Sequence, residues 1–505
     1  MSSGGRKDPE YPYSPRAAVP LPLQSGVQKP SRWRWIRRWA VRVVVAAAVL
    51  LVTAMIVGGV VAYRTVRQAW LVADLEQRGA YVGYWHEQPG NQDGLPEFLR
   101  QRVGDRWWSD VCHFSHNGDS YWGSGFSYHE FTEADIRDIC TACGTFRKLQ
   151  KFEIKSNLFS CDQISNWPHL QRLEELDVES VKLSDADLAI IGRMKGLKTL
   201  RIASARMTGD GLGHLARLPV LEELTLDRVH FSNSGSAISQ GFASLKSLVV
   251  GSSPEFGDDA IACFGSPPQL EDVNFNRAPI GDRGLAQLLQ SGKVRSLIIN
   301  EGLMTDASFA QIANYKAPGW LVLSGMPLTD AGLKALAGKE FPTLILDHTA
   351  LTDQAFGVLT NIKGLEYVSL SDTKISGVGA GDLNGDPKLK HLDLSGVTLT
   401  QKGTQALAQV QCSELDLSRT FIGDRELMVL AANDNLVELD VTGTAVTLNG
   451  IEAFFKTRKT RLKAAGLPDT LTLIAILSGG DEFNPDRYTS TSVLSQPGMI
   501  RPEAN

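Results

Sequence analysis

The sequence is short of the features that would announce a chemistry. Six cysteines in 505 residues are too few for a disulfide-built scaffold. There is no Gly-rich phosphate loop of the Walker type and no nucleophile elbow. No histidine stands with paired carboxylates at the strand positions where general acid–base chemistry would need them. Charge of one sign is not in large excess either, with a net charge of -5, so there is no electrostatic footprint for nucleic acid. These absences argue against an enzyme, a resident cofactor or metal, and a nucleic-acid partner.

Long uncharged runs are absent except for one. Val43–Ala62 reads VVVAAAVLLVTAMIVGGVVA, twenty residues without a charge, about the length that crosses ~30 Å of hydrocarbon as a helix. Lys29, Arg32, Arg34, Arg37, Arg38 and Arg42 precede it, with Trp33, Trp35 and Trp39 suited to a membrane interface. Only Arg64 and Arg67 follow closely. The bias predicts a single-pass anchor with a cytoplasmic N-terminus and everything beyond about residue 64 outside the cytoplasm. A cleaved signal peptide would have a shorter apolar core and a small-residue cleavage site, so an uncleaved signal-anchor is favoured. Residues 1–31, rich in Pro, Ser and Gly, read as a disordered cytoplasmic tail. Residues 32–64 are the basic, Trp-bearing flank and the transmembrane helix.

Beyond the anchor the chain is periodic. Leu173, Leu197, Leu221, Leu245, Leu270 and Val294 each open a unit, and Pro318, Phe341, Leu365, Leu389, Cys412 and Leu436 continue the series from Leu149 at intervals of 23 to 25 residues. Apolar residues three and five places on, such as Leu176 and Val178 or Leu392 and Leu394, alternate as a strand with one buried face does. Ten places on comes another apolar residue, then Ser or Thr and often Asp: Leu183-Ser184-Asp185, Met304-Thr305-Asp306, Leu328-Thr329-Asp330. The hydroxyl suits a helix N-cap and the carboxylate the positive end of the helix dipole. Leu188 with Ile191, and Leu333 with Leu336, then share one helical face. Each unit is strand, turn, capped helix, turn, and none can bury its apolar side alone. In the unit at Leu221, Ser236 and Ser239 replace the helix apolars and predict an irregular helix. The extra residue in Pro254–Gly257 predicts a bulge.

This grammar, LxxLxLxxTxLTDxGLxxL, resembles membrane-anchored bacterial leucine-rich-repeat proteins of the planctomycete type. PLTDAGLKAL at Pro327–Leu336 and LDLSGVTLT at Leu392–Thr400 carry the resemblance. It implies an α/β solenoid, a horseshoe with a parallel concave sheet and convex helices, preceded by one transmembrane helix. It also implies a juxtamembrane helix at Val66–Arg78 and a strand in GAYVGYW, together spanning residues 65–104. Residues 105–148 then form an N-terminal capping repeat, with VCHF as its strand, FTEADIRDI as its helix under Thr132, and an aromatic loop inserted between them. Residues 149–460 are the repeats, 461–479 a C-terminal cap around LTLIAIL, and 480–505 a disordered tail.

Cys112, Cys140, Cys143 and Cys161 fall in the cap window. Buried free thiols, a cap disulfide in an oxidising compartment, and a metal site all remain open there; Cys263 and Cys412 occupy core positions.

Strand residues two, four and six after each start point away from the core and map a candidate binding face. Ile298, Val322 and Ile345 are expected to form a contiguous exposed apolar ladder, with Trp320 and Tyr367 beside it and His348 and His391 facing the same groove. An acidic rim follows at both ends: Glu175, Asp177 and Glu179 early, Asp393, Asp416 and Asp440 late. Apolar patches rimmed by charge mark interaction sites, so the expected partner is a protein or peptide, apolar in its middle and basic at its ends, unless the chain's own loop or tail covers the ladder. The function this implies is that of a membrane-tethered interaction or scaffold protein. The alternatives are an extracytoplasmic sensor subunit and, with reversed topology, a cytoplasmic adaptor.

Overall fold

The computed structural model describes residues 80–84, 111–117, 132–232, 241–315, 319–385, 388–465 and 471–474, together with most of 50–78. The chain divides into two units, residues 1–67 and 68–505. In the first, residues 50–57 are helical and exposed. The expected span Val43–Ala62 lies partly outside the described residues, and among those described no helix is long and apolar enough to cross a membrane. The two tails, the Trp-bearing flank, the inserted loop at 118–131 and the serine-bearing segment 233–240 also lie outside them.

Among the described residues, the second unit is built on one sixteen-stranded sheet whose strands follow chain order. The first pair, Tyr81–Tyr84 with Val111–Asn117, is antiparallel. The pairs that follow are parallel and in register, for example Leu176 opposite Leu200 and Leu321 opposite Leu344. The reversed first strand caps the sheet edge, where a row of open N–H and C=O groups would otherwise template further pairing. Thr132 caps the helix Glu133–Cys143 in a capping box with Asp135, and Ile136 and Ile139 are buried beneath it.

One face of the sheet is the core. Leu176, Val178, Leu200, Leu224, Leu297 and Leu392 are all almost wholly buried, as are the helix residues Leu188, Leu285 and Leu333. Each such side chain contributes roughly 1.5–3 kcal/mol by leaving water, but only once a neighbouring unit covers it. The extra residue after Ser247–Gly251 is absorbed in the turn, so that Phe256 still reaches the core and is fully buried. Helices are about 10 Å across and strands about 4.8 Å apart, so stacking one of each per unit bends this unit with the sheet inside. The architecture is an α/β leucine-rich-repeat solenoid.

The aspartate after the cap does more than meet the helix dipole. Asp306 accepts from the Thr329 amide (2.8 Å) and hydroxyl (2.6 Å) of the next unit. Thr329 Oγ1 in turn accepts from the Ala331 amide of its own helix. Asp185 with Thr208, Asp282 with Thr305, Asp330 with Thr352 and Asp424 with Thr447 repeat the arrangement. Each carboxylate staples one helix start to the next and satisfies N–H groups that a short helix leaves open.

At the other end the last helix, Leu448–Ala465, is eighteen residues long and runs past the expected repeat boundary at 460. The strand Thr472–Ile474 pairs parallel with Glu438–Asp440 and closes the sheet. Arg458, only 2% exposed, donates to the carbonyls of Asn433 and Leu436 (2.8 Å to the latter). A cation therefore plugs the core beneath the last unit.

Candidate functional site

The open face of the sheet is ruled into rows by the parallel register. The row four after each unit start runs Asn274, Ile298, Val322, Ile345, Ser369, Asp393, Asp416, Asp440. The row two after it runs Ser296, Trp320, Thr343, Tyr367, His391, Glu414, Glu438. Leu321 and Leu323 are fully buried on the opposite side while Trp320 is 58% exposed, so the alternation is in the expected frame.

The apolar ladder is less exposed than the sequence implies. Val322 is only 9% exposed, and Ile298 and Ile345 are half-buried. In-register neighbours about 4.8 Å apart cover one another's flanks, and the branched residues form a continuous low floor. Trp320 is what stands above it.

The acids expected as a rim at the early end, Glu175, Asp177 and Glu179, are paired with bases. Glu175 meets Lys151 at 3.1 Å and Glu179 meets Arg228 at 2.5 Å. Lys155 lies 2.9 Å from Glu153, and Arg201 lies 3.9 Å from Asp177. Bases in the same rows, with Arg228 beside them, thus pair with Glu153, Glu175, Asp177 and Glu179. Burial still pushes the Asp177 carboxyl up, against Lys155 and Arg201, which pull it down.

The late end is different. At the row positions from Thr343 to Thr442 stand Asp347, Asp393, Glu414, Asp416, Glu438 and Asp440, with no Lys or Arg among them. Ser369 Oγ lies 2.5 Å from Asp347 and 3.0 Å from Asp393, and the Ser371 amide also donates to Asp347. The Ser395, Ser418 and Thr442 amides donate to Asp393, Asp416 and Asp440. Burial raises the carboxyls of Asp347 and Asp416, and neighbouring Asp393 adds to both. Tyr367 stacks on His391 at 4.1 Å with planes 5° apart, and His391 Nδ1 contacts Glu414 at 3.1 Å. Burial and the surrounding carboxylates push the Tyr367 phenol up.

His348 is not on the groove floor. It occupies a left-handed position (φ 54°) where the chain leaves the strand, and it contacts Asp372 at 3.5 Å. Ser204, Arg228, Ser252, Arg277, Glu301, Asp372 and Arg419 share that conformation, one per unit from the unit at Leu197 onward, with Gly325, Gly396 and Gly443 in the others. Only the glycines carry a sequence signal for it; charged residues in this conformation are strained and leave none. The row forms a charged lip along the sheet, where Arg419 donates to Asp372 (2.9 Å) and to Ser371 and Ser395.

The raised carboxyls have a consequence for stability. A carboxyl whose folded pKa exceeds its unfolded value binds more protons when folded, so it favours folding below the unfolded pKa. That contribution is lost as pH rises through the folded pKa, and at neutral pH the ionised group weakens the fold. Asp416→Asn is therefore expected to raise Tm at pH 7, with the gain shrinking as pH falls through the carboxylate range. A Tm series against pH for the two proteins checks this, and a gain independent of pH would contradict it.

In the cap, Cys140, Cys143 and Cys161 are buried free thiols, as are Cys263 and Cys412. Burial pushes the Cys140 and Cys412 thiols up to about 12 and raises Cys143 and Cys161 as well. Thiols so far from ionising are poor nucleophiles. The side chain of Cys112 lies outside the described residues.

No family model and no curated protein matches the chain. Solved structures do. An internalin from Listeria monocytogenes superposes with a TM-score of 0.40 at 16% identity, covering 58% of this chain and 81% of that one. A chain of the octameric complex of Latrophilin 3, Unc5D and FLRT2 gives 0.38 at 14%, covering 59% and 91%. The plant peptide hormone receptor RGFR1 in complex with RGF2 gives 0.37 at 14%, covering 72% and 67%. Likenesses this distant say nothing about a partner, and the repeat architecture rests on this chain's own register.

Proposed function

We propose that this chain is a membrane-tethered, non-enzymatic binding protein that holds a polypeptide segment of another protein on the open face of its sheet. The observation that carries the reading is Trp320, a large aromatic left 58% exposed beside a floor of branched apolar side chains. Such aromatics are typical hot spots. The tether reading is supported by the uncharged run Val43–Ala62 and its basic, Trp-bearing flank, which also support an extracytoplasmic repeat domain.

Affinity capture from membranes tests the binding reading when run with two variants. Trp320→Ala on the sheet face is expected to weaken capture of the bound polypeptide by about thirtyfold, the equivalent of ~2 kcal/mol. Gln405→Ala, exposed on a helix, is expected to leave capture unchanged. Equal capture by both would remove the sheet face from the function. A C-terminal fusion to a reporter active only outside the cytoplasm tests the topology; an inactive fusion would reverse it.

A further inference from the structure

The two ends of the open face differ in a way that would orient a ligand. Trp320 and Tyr367 stand two strands apart with the small Thr343 between them. At about 4.8 Å per strand this leaves a slot roughly 10 Å wide at the backbone, room for one inserted side chain between aromatic walls. The slot continues along its strand over half-buried Ile345 to Asp347. On the early side lie salt-bridged pairs that have already answered one another's charge. On the late side lies a field of carboxylates, of which Asp347 and Asp416 are held at a cost by burial and like-charged neighbours.

We propose that the docked segment is basic on one side only: a large apolar side chain enters the slot between Trp320 and Tyr367, and Lys or Arg residues extend from it over Asp393, Asp416 and Asp440. This rests on the docking reading above and adds its chemistry and direction. The late carboxylates gain the cations that their own rows lack, while the early lattice would have to break pairs to offer anything. Spacing fixes the reach. Asp393 lies two strands beyond Ile345 and Asp440 four. An extended peptide rises about 3.3 Å per residue, so its cations fall about three to six residues from the anchor. The raised carboxyls of Asp347 and Asp416 are the mark of a face that a cation would relax.

The test is selection of a random dodecapeptide display library on the immobilised full-length chain. Enriched peptides are expected to share a large apolar residue followed, on one side, by Lys or Arg. A synthesised winner is expected to lose about tenfold in affinity to Asp393→Asn/Asp416→Asn, a loss of ~1.4 kcal/mol, and nothing to Glu175→Gln/Glu179→Gln. Enrichment of acidic or uncharged peptides that still depend on Trp320 would overturn the polarity and leave the docking reading standing. So would basic peptides weakened equally by both pairs. Peptides indifferent to Trp320→Ala, or no enrichment over bare support, would overturn both.

Discussion

Arg458→Ala is expected to cost about 3–5 kcal/mol, the range for removing a buried partner and leaving its carbonyls and cavity behind. Two backbone carbonyls, of Asn433 and Leu436, lose their donors at once, and the stem of a side chain only 2% exposed leaves a hole beneath the last unit. The loss is expected to be local. A solenoid is held by neighbour-to-neighbour contacts, so damage to its end frays inward before the middle gives way. Hydrogen exchange should show lost protection in Glu438–Asp440 and Thr472–Ile474 while Leu176 and Leu200 keep theirs. Arg458→Lys is expected to recover only part of the loss, because an ammonium cannot fork to two carbonyls as a guanidinium does. Uniform loss of protection along the chain would refute the plug, and so would no loss at all.

Arg458 shows where the sequence speaks and where it does not. The 24-residue rhythm, the buried pair in each strand and the cap hydroxyls are legible, because burial and helix starts impose a spacing that one sequence displays by itself. Trp320 and Val322 could be assigned to the open face by the same alternation, and Leu321 and Leu323 to the core. Arg458 reads as one of several cations in KTRKTR, and only its phase gives it away: Ile451, Phe454, Arg458 and Leu462 lie along one face, where an apolar residue is due. The pairing of the early acids is hidden for a different reason. Counting acids without the Lys151, Lys155 and Arg201 in the same rows mistakes paired carboxylates for open ones, since pairing is a cross-strand property. The left-handed lip was hidden because serine, arginine and glutamate carry no signature of a positive φ.

The sharpest consequence of the staple concerns the glycine two places after its aspartate in the LTDxGL grammar. Gly332 is helical, where alanine should be better by about 1 kcal/mol. A Cβ there, however, would stand 2.5 Å from Asp306 Oδ1 and 2.7 Å from Asp306 Cβ. The preceding unit's carboxylate occupies the space, and it cannot retreat without breaking its bonds to Thr329. Gly332→Ala is therefore expected to destabilise by roughly 1–3 kcal/mol, the usual range for overpacking. Asp306→Gly alone should cost at least as much, since it strips the Thr329 amide and hydroxyl of their acceptor and puts a glycine in the first turn of a helix. In the Asp306→Gly background both the carboxylate and its Cβ are gone, the space is open, and Gly332→Ala should now stabilise by up to about 1 kcal/mol. The sign of one substitution thus depends on a residue in another repeat, a coupling that a double-mutant cycle on Tm or urea midpoint measures directly. Additive effects would mean that the glycine is there for some reason other than the staple, and the inter-repeat carboxylate would lose its claim to have written that part of the repeat.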